Sequence, residues 1–401
     1  MSSAKKKARL ATTTLSARVT PKIIKGQANF GSDILPLHFH APLDEKKIPP
    51  QPWQNLPQPT GQSPFRLSLE SVLSPDEIQR INATGKLVFH TVGDTGGVNE
   101  TTDIENVASY MEKDFSPNKG ESSPAFFYHL GDVVYYEGQA MNYFAQFYEP
   151  YMRYPAPIFA IPGNHDGDVD PTTGEKSLDA FVNNFCARAP IHTPEAKEAP
   201  RDAMTQPNVY WTLETPLATI IGLYSNCPEG GELKPDQIAW FESELIAAPK
   251  DKALIVAVHH PIYSAFGAHP GSQHLKDVFE QACGKANRIP HAVLSGHVHN
   301  YQRFNGELWG EEVPFFVIGA GGYNHRLHVL SEKIHRTKLP IQMPGSVGTL
   351  ECYCDQNHGY MVVEITKKQM AFKYYAVPET GASPTKALKP YDTITIGLNL
   401  K

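Results

Sequence analysis

Apolar residues in this chain come in short runs, and each run ends in a polar cluster. Lys86–Val92 is apolar enough for a buried strand and stops at Gly93-Asp94. Short apolar runs bounded by turn residues read as strands. Thr101–Lys113 follows with helical spacing. Ala125–Leu130 predicts a second strand, ending at Gly131-Asp132. A helix rich in Tyr and Phe is predicted over Ala140–Tyr151. Ile158–Ile161 predicts a third strand, closed by Pro162-Gly163-Asn164-His165.

The second half repeats this order. Tyr210–Leu213 and Ala218–Tyr224 read as a pair of strands. Lys234–Ile246 is the clearest amphipathic helix. Pro235 suits a first turn, Asp236 suits the positive helix end, and Ile238, Phe241 and Leu245 follow helical spacing. Ala253–Val258 predicts a strand delivering His259, and Ala292–Leu294 one delivering His297 and His299. Phe315–Ile318 runs into Gly319-Ala320-Gly321-Gly322, and Tyr360–Ile365 with Met370–Tyr375 predicts a hairpin. Strands alternating with helices imply an α/β domain. In such sheets ligands bind outside the carboxyl ends of the strands. Five polar islands occupy that position, so they can converge although they are far apart in sequence.

Composition narrows the class. The chain has 401 residues, enough for one large or two modest domains. With 41% apolar and 19% charged residues it has the balance of a soluble globular protein. A formal net charge of −6 offers no global attraction to nucleic acid or to an anionic membrane. No run approaches the ~20 apolar residues of a membrane span. The five cysteines, Cys186, Cys227, Cys283, Cys352 and Cys354, are odd in number and widely spaced, so no disulfide framework is implied. Cys352-Tyr353-Cys354 with His358 nearby lacks the partners of a zinc ligand set.

Residues 1–26 carry seven Lys or Arg and no acid. Leu10–Ala17 is too polar for the apolar core of a secretory signal. A disordered basic arm is the expectation, which favours a cytoplasmic protein over a secreted or periplasmic one. Residues 41–64 are rich in Pro and Gln and suit an extended segment laid over a surface. The expected division is therefore an N-terminal extension over 1–64 and one domain over 65–401, with C-terminal strands following its core. Asn82-Ala83-Thr84 and Asn99-Glu100-Thr101 match the glycosylation acceptor pattern, which matters only in a secretory context.

The islands carry the chemistry. Asp94 and Asp132 are hard anionic oxygen donors, and a carboxylate can bridge two cations. His259, His297 and His299 offer imidazole nitrogens suited to first-row metals. Asn164 offers a carbonyl oxygen, a weak ligand. A lone Gly-Asp after a strand is ordinarily a turn, and a lone Asn-His ordinarily a cap. Five such islands in order, each at a strand end, point instead to two metal ions held side by side.

These motifs, in this order, resemble the calcineurin-like metallophosphoesterase superfamily over about residues 85–325. The pattern is Asp-x-His or Asp-x-Gly, Gly-Asp, Gly-Asn-His-Asp/Glu, His and Gly-His-x-His. Two departures narrow the likeness. Asp94-Thr95-Gly96 lacks the usual histidine, and Tyr135 stands three residues after Asp132. The purple acid phosphatase branch shows the same exchange. The resemblance implies a four-layer sandwich of two mixed β-sheets, packed face to face with flanking helices. It also implies a metal-dependent phosphoric ester hydrolase acting on small phosphorylated substrates. Asp94, Tyr135 and His299 would hold Fe(III). Asn164, His259 and His297 would hold a divalent Zn, Mn or Fe(II), and Asp132 would bridge.

Charge favours this pairing, because tyrosinate offsets the extra charge of ferric iron. The implied reaction is monoester hydrolysis by a metal-held hydroxide, with the cations stabilising charge on the phosphoryl oxygens. His165 would protonate the leaving group, with Asp166 orienting and polarising it. His269 would contact the substrate. A phosphodiesterase with two divalent metals is the nearest alternative, and the residues barely separate the two. A non-catalytic metal-binding scaffold and a two-iron redox protein are further alternatives. The natural substrate and the oligomeric state are not legible in the residues.

Overall fold

The structure, a computed structural model, describes residues 55–97, 100–115, 120, 122–168, 176–226, 231–323, 327–343, 348–379 and 388–400. The expected basic arm over residues 1–26 lies outside the described residues, as do the Pro- and Gln-rich segment up to residue 54 and Asn99.

The chain order of elements is β1 (Arg66–Ser68), α1 (Pro75–Thr84), β2 (Lys86–Val92), α2 (Thr102–Glu112), β3 (Phe127–His129) and β4 (Ile158–Ala160). Next come α3 (Asn164–Gly167), α4 (Asp179–Phe185), β5 (Trp211–Glu214), β6 (Ala218–Leu223), α5 (Pro235–Ala247) and β7 (Ala253–Val258). Then follow α6 (Gln273–Ala286), β8 (Ala292–Ser295), β9 (Tyr301–Leu308), β10 (Glu311–Ile318) and α7 (Glu332–Arg336). The chain closes with β11 (Ile341–Gln342), β12 (Thr349–Cys354), β13 (Gly359–Thr366), β14 (Gln369–Ala376) and β15 (Asp392–Gly397).

Among the described residues these strands form two mixed sheets. One has nine strands in the order β1-β5-β6-β7-β8-β10-β9-β12-β11, the other six in the order β15-β14-β13-β2-β3-β4. With the flanking helices they make the α/β sandwich that the resemblance implies. The sheets meet through aromatic rings. Phe316 stacks on Phe372 at 4.6 Å, Tyr301 on Tyr374 at 4.0 Å and Tyr128 on Trp211 at 6.0 Å. Such pairs contribute about 0.5–1.5 kcal/mol beyond their buried area. The C-terminal hairpin belongs to the same sheet as the first predicted strand, because β13 pairs antiparallel with β2.

Parallel pairing aligns the strand ends that matter. β2, β3 and β4 run parallel in one sheet, and β6, β7, β8 and β10 in the other. The two sets are joined at their carboxyl ends, where the Gly93 amide donates to Ile318 O at 2.9 Å.

Three departures from the hydrophobic pattern have physical causes. Helix α1 was not predicted, because only Ile81 of it is buried; a Ser74–Glu77 capping box and Pro75 start it instead. Strand β9 reads as polar because Gln302 and Arg303 are buried with partners. The Ala140–Tyr151 helix is not continuous. It is a 3-10 turn over Ala140–Asn142 and a π turn over Phe144–Tyr148. The wider turn brings Gln146 against Tyr135, as π turns often do at functional sites.

The approach segment and the cysteines are also placed. Thr60 and Gly61 amides donate to Pro207 O, and Trp240 Nε1 donates to Pro64 O at 2.7 Å. Cys186, Cys283, Cys352 and Cys354 are free, and His358 faces Asp103 at 3.3 Å rather than a thiol. No helix among the described residues is long and apolar enough to cross a membrane.

A buried ion pair ties the sheets at β15. Arg303 Nε donates to Asp392 Oδ2 at 2.7 Å, and Tyr301 Oη donates to the same oxygen at 2.8 Å. Both charged side chains are at most 10% exposed. Removing one partner strands the other charge. Asp392→Ala is therefore expected to cost about 3 kcal/mol of stability, read as a lower urea midpoint, with the metal content unchanged.

Candidate metal centre

Each island follows the carboxyl end of a strand. Asp94 follows β2, Asp132 follows β3, Asn164 opens α3 beyond β4, His259 follows β7, and His297 and His299 follow β8. Loop-to-loop backbone bonds hold these ends together: Asp94 N to Gly131 O at 2.9 Å, Gly296 N to His259 O at 3.0 Å and Tyr323 N to Asp94 O at 3.1 Å. Asp94, Asp132 and His297 adopt left-handed backbone conformations, with φ of 58°, 53° and 67°. Such angles are disfavoured for residues with a Cβ, and they cluster at functional sites.

The seven predicted donors form two groups that share one oxygen. In the first, Tyr135 Oη lies 3.4 Å from Asp94 Oδ1, 3.2 Å from Asp132 Oδ2 and 3.4 Å from His299 Nε2. In the second, His259 Nε2 lies 3.2 Å from Asp132 Oδ2 and 3.2 Å from Asn164 Oδ1. His297 Nδ1 lies 3.0 Å from the same Asn164 oxygen. The two histidines of Gly296-His297-Val298-His299 therefore enter different groups. Strand alternation alone would send both rings to one side; the left-handed turn at His297 separates them.

The chemistry of these donors fits cations. The single phenolic proton of Tyr135 can serve only one of the two carboxylate oxygens beside it. His259 Nδ1 donates to Leu130 O at 2.8 Å. In the neutral ring this leaves a lone pair on Nε2, aimed at two further acceptors. Buried acceptors crowded in this way repel unless a positive charge lies among them. Six of the donor residues are at most 8% exposed, and His297 is half-buried.

The ionisation tendencies agree. Burial, then the Asp132 and Asp94 charges, hold the Tyr135 phenol well above its ordinary range. Burial likewise pushes the Asp94 carboxyl up. Burial opposes a charge on His259, yet Asp132 and Asp94 lift it to about 9. Burial, followed by other histidines, holds His297 well below its usual value. Burial also brings His299 down to about 3 against the pull of Asp132. A cation in each group would reverse the pressure on the Tyr135 phenol and the Asp94 carboxyl.

The predicted catalytic residues fall nearby with different partners. His165 N donates to Asp132 Oδ1 at 2.9 Å, and His165 Nδ1 donates to Tyr136 O at 2.8 Å. The expected orientation of His165 by Asp166 is corrected here. The Asp166 carboxylate accepts from Gly163 N at 2.8 Å, Val133 N at 3.0 Å and Val134 N at 3.2 Å. It braces the Asp132 loop, and Tyr136 O holds the imidazole instead. Backbone N–H groups at a tight turn are better placed to use up that carboxylate than the next side chain along. His269 is half-buried at the rim, its ring 4.9 Å from that of His297.

Four neighbours were not predicted. Gln146 clamps both the N–H and the C=O of Tyr135, at 2.8 and 2.9 Å. Tyr323 stacks on Tyr135 at 4.1 Å. His260 lies 4.3 Å from His297, with Nδ1 on Ser225 Oγ at 2.8 Å and a buried, unpartnered Nε2. His328 stacks on His299 at 4.2 Å. Only His260 had a visible signal, its place beside His259 before Pro261.

The calcineurin-like phosphoesterase family profile matches residues 88–301. Purple acid phosphatase 1 of Ipomoea batatas is 28% identical over 227 residues, 54% of this chain and 42% of that protein. Purple acid phosphatase 21 of Arabidopsis thaliana is 26% identical over 185 residues, 44% of this chain and 39% of that protein. This chain thus aligns with less than half the length of either curated relative. Among solved structures, purple acid phosphatase PPD1 from yellow lupin (Lupinus luteus) seeds superposes with a TM-score of 0.53 at 15% identity, covering 78% of this chain and 54% of that one. GAP50, described as the anchor in the inner membrane complex of Plasmodium, gives 0.50 at 16% identity, covering 79% and 89%. At these identities the structural likeness concerns the fold alone.

The glycines of the motifs have a steric role at this centre. Gly131 has φ of 95°, and a Cβ on Gly163 would collide with Asp132 Oδ1. Gly163→Ala is therefore expected to push the shared carboxylate aside and weaken metal retention by about 10-fold or more. Metal content after dialysis against a chelator, compared with wild type, checks this.

Proposed function

The chain belongs to the calcineurin-like phosphoesterase family, and on that premise we propose that it hydrolyses phosphate monoesters at a dinuclear Fe(III)–M(II) centre. Asp94, Tyr135 and His299 would hold the ferric ion, and Asn164, His259 and His297 would hold Zn, Mn or Fe(II), with Asp132 as the residue common to both groups. One observation carries this reading: two donor groups meet on Asp132 Oδ2, and one of them contains a buried tyrosine phenol. When bound, the two cations supply Lewis-acid activation of water and offset charge on the phosphoryl oxygens.

The protein's own residues do the rest. Tyr135 as tyrosinate, with Asp94 and Asp132, brings three negative charges against the five positive charges of the metals, which leaves a net charge suited to a phosphate dianion. Gln146 and Tyr323 fix the Tyr135 backbone and ring. His259 is oriented by Leu130 O, the usual arrangement for a metal-binding imidazole. Asp166 keeps the Asp132 loop rigid through its three backbone partners.

His165 serves as the general acid. Its Nδ1 already gives a proton to Tyr136 O, so donation from Nε2 requires the imidazolium form. His269, half-buried at the rim beside His297, contacts the substrate. The fold alone does not fix activity. The complete donor set is what supports an enzyme over a scaffold.

Metal analysis with a visible spectrum tests the centre. A purified protein with one iron and one further metal is expected to absorb visible light, and Tyr135→Phe is expected to lose the colour while retaining metal. A colourless, fully active protein with two divalent ions would overturn the ferric assignment. His165→Ala tests the acid. It is expected to slow an alkyl phosphate by about 100-fold or more and p-nitrophenyl phosphate far less, since a good leaving group hardly needs a proton.

A further inference from the structure

His259 and His299 are held by different means. A metal-binding histidine ordinarily gives its second ring N–H to a carbonyl or carboxylate, which sets the tautomer and the ring angle. His259 does so, through Leu130 O at 2.8 Å. His299 does not: its Nδ1 is buried and has no hydrogen-bond partner. Flat rings enclose it instead. His328 lies over it at 4.2 Å with an interplanar angle of 15°, and Tyr323 covers it at 4.5 Å and 57°. Phe266 backs His328 at 4.4 Å and 7°, which completes a three-ring column.

His328 is itself tied to the residue it covers. Its backbone N donates to His299 O at 2.8 Å, and its Nδ1 accepts from His299 N at 3.0 Å. Its carbonyl accepts from Asn300 Nδ2 at 2.6 Å. His328 thus lies with its imidazole flat on that of His299 and is paired with the His299 backbone.

We propose that His328 is a positioning residue for the Asp94–Tyr135–His299 metal site, and that its ring stack takes the place of the hydrogen bond His299 lacks. This rests on the reading above that His299 Nε2 is a metal ligand. A ring without an acceptor on Nδ1 can turn about its Cβ–Cγ bond, and the packing of His328, backed by Phe266, together with Tyr323 stops it. The second group, built on His259, has its own hydrogen bond and does not depend on the column.

Three substitutions separate the ring from the hydrogen bond. His328→Ala removes both, His328→Asn keeps a polar side chain without the ring, and His328→Phe keeps the ring without the acceptor. Release of each metal to a chelator is followed by metal analysis, with the visible absorption as a second readout. His328→Ala and His328→Asn are expected to release the metal of the tyrosine site about 10-fold faster than wild type and to shift its absorption. His328→Phe is expected to stay close to wild type, and the metal on His259 to leave at the wild-type rate in all three. Wild-type release from His328→Ala overturns the proposal. So does a His328→Phe protein as impaired as His328→Ala, or a metal-free His328→Ala protein whose melting temperature falls as far as that of the loaded one. If wild type binds fewer than two metals, the reading of the centre fails and not the positioning role alone.

Discussion

The site depends on one carboxylate, Asp132, reached from both sides. Its Oδ2 faces Tyr135 at 3.2 Å and His259 at 3.2 Å, and its Oδ1 accepts the His165 amide at 2.9 Å. Those contacts come from β3, β7 and the start of α3, and so from both sheets. Burial opposes its charge, but His259 and His165 together hold it ionised below its usual range. A single anionic side chain shared between two donor groups requires the ends of both sheets to meet within a few ångströms.

That requirement shapes the backbone around it. Asp94, Asp132 and His297 have left-handed angles that cost about 1 kcal/mol each. The cost is offset by the loop-to-loop hydrogen bonds and by Asp166, which accepts from Val133 N and Val134 N at the turn after β3 and from Gly163 N just before α3. Gly131 and Gly163 are glycines for separate reasons: the first has a positive φ, and the second packs its α-carbon against the Asp132 carboxylate. Bracing outside the donors is also unequal. Leu130 O orients His259, Gln146 grips Tyr135 by its backbone, and His299 relies on ring faces. Stacking restrains ring tilt without a hydrogen bond to Nδ1 of His299.

Most of the centre was legible because its chemistry is local. Asp94, Asp132, Asn164, His259 and the His297–His299 pair each sit within a few residues of an apolar run, and an apolar run has a recognisable end. Tyr135 was implied by the family resemblance, in which a tyrosine stands three residues after the second aspartate. The helix expected over Ala140–Tyr151 was only half right, since periodicity does not distinguish an α turn from the π turn that aims Gln146. β9 escaped notice because the burial of Gln302 and Arg303 is made possible by partners on Asn300 and Asp392, which lie elsewhere in the chain or pair only in the fold. His328 carried no sequence signal, because its role comes from a ring face that meets His299 only in the fold.

The sequence by itself therefore determined the alternating α/β order, the strand ends that carry the candidate ligands and the identity of those candidates. Those follow from side-chain chemistry and periods of a few residues, which a chain displays without folding. The tertiary structure decided how the donors are shared out. It sent His297 and His299 to different groups through one left-handed turn, gave Asp166 to the backbone and His165 to Tyr136 O, and placed His328 on His299. The physical reason is range. Ligand identity is a property of a residue and its neighbours, whereas orientation depends on groups that become neighbours only when two sheets close on each other.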